Sequence, residues 1–154
     1  MKNFKNKVAT ADVKDRGFKA PSVTDYMVSK LITFTPETKI STVIDSLLKN
    51  RITGAPVLND SKEVVGLIDD KDCLNTLVGG AMYNHPVSED TVANYMSNVM
   101  KTISVNEDIL DVANIFLRTP YKRLLVLDDD GKLVGQISRR DILRAIKELK
   151  ISTW

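Results

Sequence analysis

Residues 135–141 read Gly-Gln-Ile-Ser-Arg-Arg-Asp, and residues 66–72 carry a counterpart, Gly-Leu-Ile-Asp-Asp-Lys-Asp, 69 positions earlier in the chain. The similarity extends outward from both stretches without a gap. Residues 23–74 and 92–143 are identical at 15 of 52 aligned positions, far more than unrelated sequences share. A repeat of this length, present twice, predicts two similar modules that bury apolar faces against each other. We call them repeat 1 and repeat 2.

Each repeat has the same predicted order of strand, helix, strand, strand and helix. In repeat 1 an extended segment at 31–35 precedes an amphipathic helix with apolar residues at 40, 43, 44, 47 and 48, and a hairpin joins 54–58 to 63–68. A second helix begins near Asp70 and is expected to end at Gly79-Gly80. The predicted fold class is therefore α+β, with two βαββα modules that are each too small to bury their apolar faces alone.

The composition is that of a globular protein. The 154 residues are 43% hydrophobic and 27% charged, and the net charge of +2 is too small to indicate nucleic-acid binding by itself. No apolar run reaches the roughly 18 residues of a membrane helix, so no membrane association is expected. Cys73 is the single cysteine, which excludes an intramolecular disulfide and favours the reducing cytoplasm.

The repeat boundaries divide the chain into four predicted segments. Residues 1–19 form a basic lead-in that we expect to be flexible, 20–82 form module 1, 83–91 form a linker, and 92–150 form module 2. A basic lead-in or a basic last helix can contact nucleic acid, but such segments are more often solvated ends. We therefore expect no nucleic-acid partner. His85, the only histidine, lies in the linker and is a weak candidate for catalysis.

The start of the last helix has two interpretations that the residues leave open. Ser138 at the N-cap with Asp141 three residues later matches a capping box. The same helix N-terminus also presents unpaired N–H groups that attract phosphate, so that Ser138 could donate to a phosphate and Asp141 could accept from ribose hydroxyls. Lys122 and Arg123 likewise either pair with the acidic turn at 128–130 or face an anion.

The duplicated motifs resemble those of a tandem cystathionine-β-synthase (CBS) domain pair, or Bateman module. The residues that carry the resemblance are Ile52-Thr53-Gly54-Ala55-Pro56-Val57 followed by Gly66 and Asp72, and Lys122-Arg123-Leu124-Leu125-Val126 followed by Gly135, Ser138 and Asp141. The resemblance covers about residues 20–150. It implies two modules packed sheet to sheet with pseudo-twofold symmetry, up to two clefts for adenosyl ligands, and a homodimer.

For the repeat 2 cleft the resemblance implies a complete nucleotide site. Asp141 would bind the ribose, and Ser138 and Arg140 would bind the phosphate. The other implied contacts are cationic, from Lys122 and Arg123, or flank the adenine, from Ile32, Ile52 and Thr53 of repeat 1.

The repeat 1 cleft departs from the family pattern at two positions. Asp69 stands where serine or threonine is expected, and Gly54 stands where repeat 2 has Arg123. Because an acid disfavours a phosphate, we expect an empty or weaker cleft, in which Asp72 would bind a ribose with Tyr121 near the base. The acid is also consistent with an ordinary helix cap. A cationic or uncharged ligand tail, as in S-adenosylmethionine, suits this cleft better than a polyphosphate.

Together these features predict a regulatory sensor of AMP, ADP or ATP. It would need no cofactor or metal, would not be an enzyme, and would signal as a homodimer to a regulated enzyme or transporter. The alternatives are a ligand-free interaction or dimerisation module and a sensor of S-adenosylmethionine. An enzyme, either a nucleotide hydrolase or a redox regulator acting through Cys73, ranks last because no general base occupies a motif position.

Overall fold

The computed structural model describes residues 19–83 and 89–149. Repeat 1 contains α1 (Ile40–Asn50), β1 (Gly54–Leu58), β2 (Val64–Asp69) and α2 (Asp70–Tyr83). Repeat 2 contains β3 (Thr102–Ser104), α3 (Ile109–Arg118), β4 (Arg123–Leu127), β5 (Leu133–Ser138) and α4 (Arg139–Leu149). The predicted α+β class with two similar modules is confirmed. The lead-in up to residue 18, the linker core at 84–88 and His85 lie outside the described residues.

The two sheets have matching registers. In repeat 1, β1 and β2 are antiparallel, with Gly54 opposite Asp69, and in repeat 2, β4 and β5 are antiparallel, with Arg123 opposite Ser138. The strand β3 runs parallel to β4. In each repeat the first residue of the hairpin therefore lies opposite the residue that directly precedes the following helix.

The strand predicted at 31–35 is reduced to one parallel bridge, between Phe34 and Val57. Phe34 N–H donates to the Pro56 carbonyl at 3.0 Å, and the Leu58 N–H donates to the Phe34 carbonyl at 2.8 Å. Alternate residues bond across a parallel pair, so the next donor would be residue 36, which is a proline and has no N–H.

The predicted end of the second helix at Gly79-Gly80 is wrong, because α2 continues to Tyr83. Gly79 does not take the positive φ that a helix-ending glycine uses. A glycine in a helix interior costs about 1 kcal/mol relative to alanine, which weakens a helix without ending it.

The prediction that the acidic stretch at 128–130 forms a hairpin turn is confirmed. Asp128 Oδ1 accepts from the N–H groups of Asp130 and Lys132, both at 2.9 Å. Gly131 has a φ of 80° and its counterpart Lys62 has a φ of 66°, so both turns require a left-handed residue at the same position.

The two modules exchange their first turns. A short 3-10 turn opens each repeat, at Val23–Asp25 and at Val92–Asn94. Val23 is fully buried in the core of module 2, and Val92 is fully buried in the core of module 1. We call these segments the exchanged turns.

Backbone pairing continues this exchange along the outer strand of each hairpin. Val28 and Gln136 exchange N–H to carbonyl bonds of 2.8 and 3.0 Å, and Leu67 and Ser97 do the same at 2.9 and 2.8 Å. The outer strand of each module thus pairs with a segment of the other repeat. Neither repeat closes its core with its own residues.

Close packing of the exchanged segments explains the glycines of the duplicated motif. A Cβ atom on Gly135 would lie 2.5 Å from Met27 Sδ, and one on Gly66 would lie 2.9 Å from Met96 Sδ and from the Ser97 carbonyl oxygen. Real Cβ atoms do not approach other atoms so closely, so only glycine fits without a shift. In both repeats, the glycine of the motif is therefore packed against the methionine that follows the exchanged turn of the other repeat.

Candidate functional site

The clearest contact between the modules at the candidate site is made by Arg123, at the start of β4. Its Nη2 donates to Thr53 Oγ1 in repeat 1 at 2.9 Å. Its Nη1 lies so close to Gly54 that a Cβ on that glycine would be 2.5 Å away. The glycine that departs from the family pattern thus provides room for the arginine of the other repeat. Arg123 therefore bonds to the other module and not to the acidic turn after its own strand.

Ser138 and Asp141 are brought together at the start of α4. Asp141 Oδ2 accepts from the N–H of Ser138 at 2.8 Å and from its hydroxyl at 3.1 Å. The Asp141 residue is only 6% exposed. The contact is the carboxylate half of a capping box, with the serine hydroxyl donating to the acid. Because Arg123 lies opposite Ser138, three of the predicted contacts are neighbours.

Arg144, which was not among the predicted site residues, lies one helical turn after Asp141. Its Nη1 contacts Asp141 Oδ1 at 3.3 Å, and its Nη2 donates to the Tyr26 carbonyl at 2.8 Å. An acid and a base three residues apart on a helix could have indicated the first contact. Nothing in the sequence indicates the second, which spans 118 residues.

The equivalent position in repeat 1 is a pair of acids. Asp69 Oδ1 accepts from the Asp72 N–H at 2.9 Å, and Asp72 Oδ2 accepts from the Asp69 N–H at 3.0 Å, which completes a reciprocal capping box. Burial, together with the charges of Asp69 and Asp70, raises the pKa of Asp72 from 3.8 to about 6. This supports the helix-cap interpretation of Asp69.

The other predicted contact residues fall into two groups. Lys122 and Arg140 are exposed, at the entrance to β4 and on the first turn of α4. Ile32 and Ile52 are partly buried against the core of module 1, and Tyr121 is partly buried against the core of module 2. Each of the five side chains retains its proposed ligand contact as a prediction.

Three further features of the described residues are the cysteine, possible metal ligands and the length of the helices. Burial raises the pKa of the Cys73 thiol to about 11, which keeps the reactive thiolate scarce at neutral pH. Within 19–83 and 89–149, His, Cys, Asp and Glu side chains form no group that could hold a metal ion. In the same ranges, every helix is too short or too polar to cross a membrane.

Comparison with known proteins defines the class. The family model of the CBS domain matches residues 23–79 and again residues 92–148. The chain therefore belongs to the CBS domain family and carries two such domains in tandem.

Two relatives from Arabidopsis thaliana are the chloroplastic CBS domain-containing proteins CBSX1 and CBSX2. CBSX1 is 30% identical over 156 residues and CBSX2 is 27% identical over 157 residues, with 85% and 86% of this chain covered. The chain spans about two thirds, 66%, of the length of each relative.

Solved structures show the same fold. CBSX2 in complex with AMP aligns with a TM-score of 0.72 at 26% identity, covering 84% of this chain and 98% of that one. The CBS domain pair of protein MJ0100, in complex with 5′-methylthioadenosine and S-adenosyl-L-methionine, aligns with a TM-score of 0.71 at 21% identity, covering 85% and 99%. The arrangement of two CBS modules is thus common to this chain and to adenosyl-binding proteins.

Proposed function

We propose that the protein is a regulatory sensor that binds AMP, ADP or ATP in the repeat 2 cleft. The observation that carries the proposal is the junction of Arg123, Thr53, Ser138 and Asp141 between the modules. A cation, a hydroxyl and a helix N-terminus at one place suit a phosphate, and a buried carboxylate beside them suits a ribose. The AMP complex of CBSX2 supports this ligand class.

The acceptor capacity of Asp141 supports a role in ribose binding. An ionised carboxylate has about four acceptor positions, and here the Ser138 N–H, the Ser138 hydroxyl and Arg144 use three of them. If the hydroxyl turned to a ligand phosphate, a second position would open. Each carboxylate oxygen could then accept one ribose hydroxyl while keeping one protein donor.

The remaining contacts of the proposed site follow the family resemblance. Lys122 and Arg140, which are exposed, would add charge near the phosphate, and Ile32, Ile52 and Thr53 would flank the adenine. AMP, ADP and ATP share the ribose and the first phosphate, so this site would accept all three.

For the repeat 1 cleft we propose weaker binding or none. Asp69 would repel a phosphate, and Arg123, which extends over Gly54, is bonded to Thr53. An S-adenosylmethionine-like ligand, held by Asp72 with Tyr121 near the base, would meet no such repulsion. The ligands of the MJ0100 CBS pair show that this ligand class occurs with the fold.

The proposed output is a change in a homodimer that a regulated enzyme or transporter detects, without catalysis by the protein itself. An apolar groove of about 640 Å³ between α3 and α4 supports the homodimer, since Leu117 and Leu143 on its lining are 69% and 66% exposed. Their repeat 1 counterparts, Leu48 and Leu74, are 74% and 66% exposed. Such paired apolar faces favour self-association, and sedimentation would give the mass. We propose a cytoplasmic location on the ground of the single cysteine, Cys73, although both Arabidopsis relatives are chloroplastic.

The test is isothermal titration calorimetry with AMP, ATP and S-adenosylmethionine. Asp141→Ala removes charged contacts and should weaken AMP binding by about 1.5–3 kcal/mol, or roughly tenfold to more than a hundredfold. Asp72→Ala is the matched control, because it makes the same change in the other cleft and should leave the AMP affinity unchanged. Equal AMP affinity in wild type and Asp141→Ala would refute the site.

The titration also distinguishes the alternatives. A folded, nucleotide-free protein that binds none of the three ligands would favour the interaction-module function. Binding of S-adenosylmethionine alone, lost in Asp72→Ala, would favour the second sensor. Turnover of ATP would restore the enzyme hypothesis, and steeply salt-dependent binding to DNA or RNA would indicate a nucleic-acid binder.

A further inference from the structure

Arg144 makes contacts with both repeats from one side chain. Its guanidinium contacts Asp141 Oδ1 at 3.3 Å, donates to the Tyr26 carbonyl at 2.8 Å, and lies 5.7 Å from the centre of the Tyr26 ring. Its Nε lies 3.8 Å from Glu148 Oε2 on the same helix. Tyr26 directly follows the exchanged turn of repeat 1. One side chain therefore connects the candidate ribose carboxylate to the segment that repeat 1 contributes to module 2.

Among the described residues, repeat 1 has no equivalent of this connection. Asn75 occupies the position that corresponds to Arg144, and it has neither the charge nor the length of an arginine. Tyr95, the counterpart of Tyr26, donates from its hydroxyl to Asp90 at 2.7 Å. The cleft with the complete phosphate motif is therefore the one whose carboxylate is held by a cation.

We infer that Arg144 is a positioning residue of the repeat 2 cleft, which holds the Asp141 carboxylate in the orientation that receives the ribose hydroxyls. This inference rests on the proposed function. Ser138 fixes one carboxylate oxygen through its N–H, and Arg144 fixes the other, so the carboxylate plane is set before a ligand arrives. Pre-set geometry spares the ligand the cost of ordering the side chain.

The same contacts couple ligand binding to the packing of the modules. Arg144 also donates a hydrogen bond to the Tyr26 carbonyl. Any shift of the guanidinium that accompanies ribose binding therefore changes this hydrogen bond, which connects α4 to the end of the exchanged turn. A ligand that favours one arrangement of this side chain thereby favours one docking of repeat 1 on module 2.

The test compares Arg144→Gln with wild type, using AMP and its 2′,3′-dideoxy analogue, which lacks the ribose hydroxyls. Arg144 acts through Asp141, so the variant should lose about tenfold in AMP affinity and less than about twofold in affinity for the analogue. Lys147→Gln removes a charge from an exposed position of the same helix and should change neither affinity. Calorimetry at millimolar ligand measures the weaker binding.

Two further variants keep the result decisive. In an Asp141→Ala background, Arg144→Gln should add less than about twofold, because the two residues act as a unit. If Arg144→Gln does not fold, Arg144→Lys retains the charge but loses the planar fork, and should lose about threefold for AMP alone.

The outcomes separate this inference from the proposed function. Equal losses for AMP and the analogue would overturn the positioning role, because they would indicate a phosphate contact or a general loss of structure. An unchanged AMP affinity in Arg144→Gln would also overturn it, while binding that depends on Asp141 would leave the nucleotide site intact. A wild-type protein that binds no AMP would overturn both.

Discussion

Val23 provides the sharpest test of the exchange between the modules. It lies 17 positions before α1 of its own repeat, yet it is fully buried among residues of module 2, including Ile103, Val112 and Ala145. Val23→Ala should therefore weaken module 2. Removing two buried carbons costs about 1.6 kcal/mol of transfer free energy at ~0.8 kcal/mol each, and the cavity raises the total to about 2–3 kcal/mol.

The expected change is large enough for two assays. Urea unfolding measures the loss of free energy directly, and the melting temperature should fall by about 4–12 °C, since a chain of this size loses about 2–4 °C per kcal/mol. Hydrogen exchange measured by mass spectrometry locates the loss. Amides of β4, β5 and α4 should exchange faster, while those of β1 and β2 should change little.

A reciprocal variant provides the control. Val92 is fully buried in module 1, so Val92→Ala should speed exchange in β1, β2 and α1 instead. Faster exchange of β1 and β2 in Val23→Ala, with β4 and β5 unchanged, would show that each turn stabilises its own repeat and would refute the exchange.

Two further predictions concern local chemistry. Lys62→Gly should raise the free energy of unfolding in urea by up to about 1 kcal/mol, because the left-handed conformation costs a lysine about 1–2 kcal/mol. The added freedom of glycine in the unfolded chain offsets part of that gain. Gly131→Ala, the matched change in the other hairpin, should destabilise the protein, and a stabilised Gly131→Ala would contradict the reasoning. The pKa of Asp72 rises from 3.8 to about 6 in the folded state, so its contribution to stability is complete below pH 4 and is lost as the pH rises through 6. The free energy of unfolding of Asp72→Asn should therefore equal that of wild type at pH 4 and exceed it at pH 7.5. The excess should be no more than about 1 kcal/mol, because solvent screens a partly exposed group. Equal stability of the variant and wild type at both pH values would contradict the raised pKa.

Much of the fold could be predicted because it depends on local patterns. Apolar spacing defined the helix at 40–50, and turn residues defined both hairpins, since these features require only near neighbours in the chain. The errors arose where a local signal was outweighed. Pro36 lacks the N–H that would have extended the pairing of Phe34 with β1, and the glycines at 79 and 80 did not take up a cap conformation.

The candidate site was predictable in its residue types and not in its connections. Ser138 and Asp141 lie three residues apart on one helix start, so the sequence placed them together. Arg123 and Thr53 are 70 residues apart, and Arg144 and Tyr26 are 118 apart. Such pairs meet only when the modules dock, and no periodicity within a repeat encodes them.

The sequence by itself determined that two related modules exist, what elements each contains, and which repeat carries the complete phosphate motif. The tertiary structure decided which module each opening turn completes, and it showed that Gly54 accommodates an arginine from the other repeat. The physical reason is pseudo-symmetry. Two similar repeats present similar apolar faces, so the pattern of one repeat fits either core, and only the three-dimensional docking of both selects the partner.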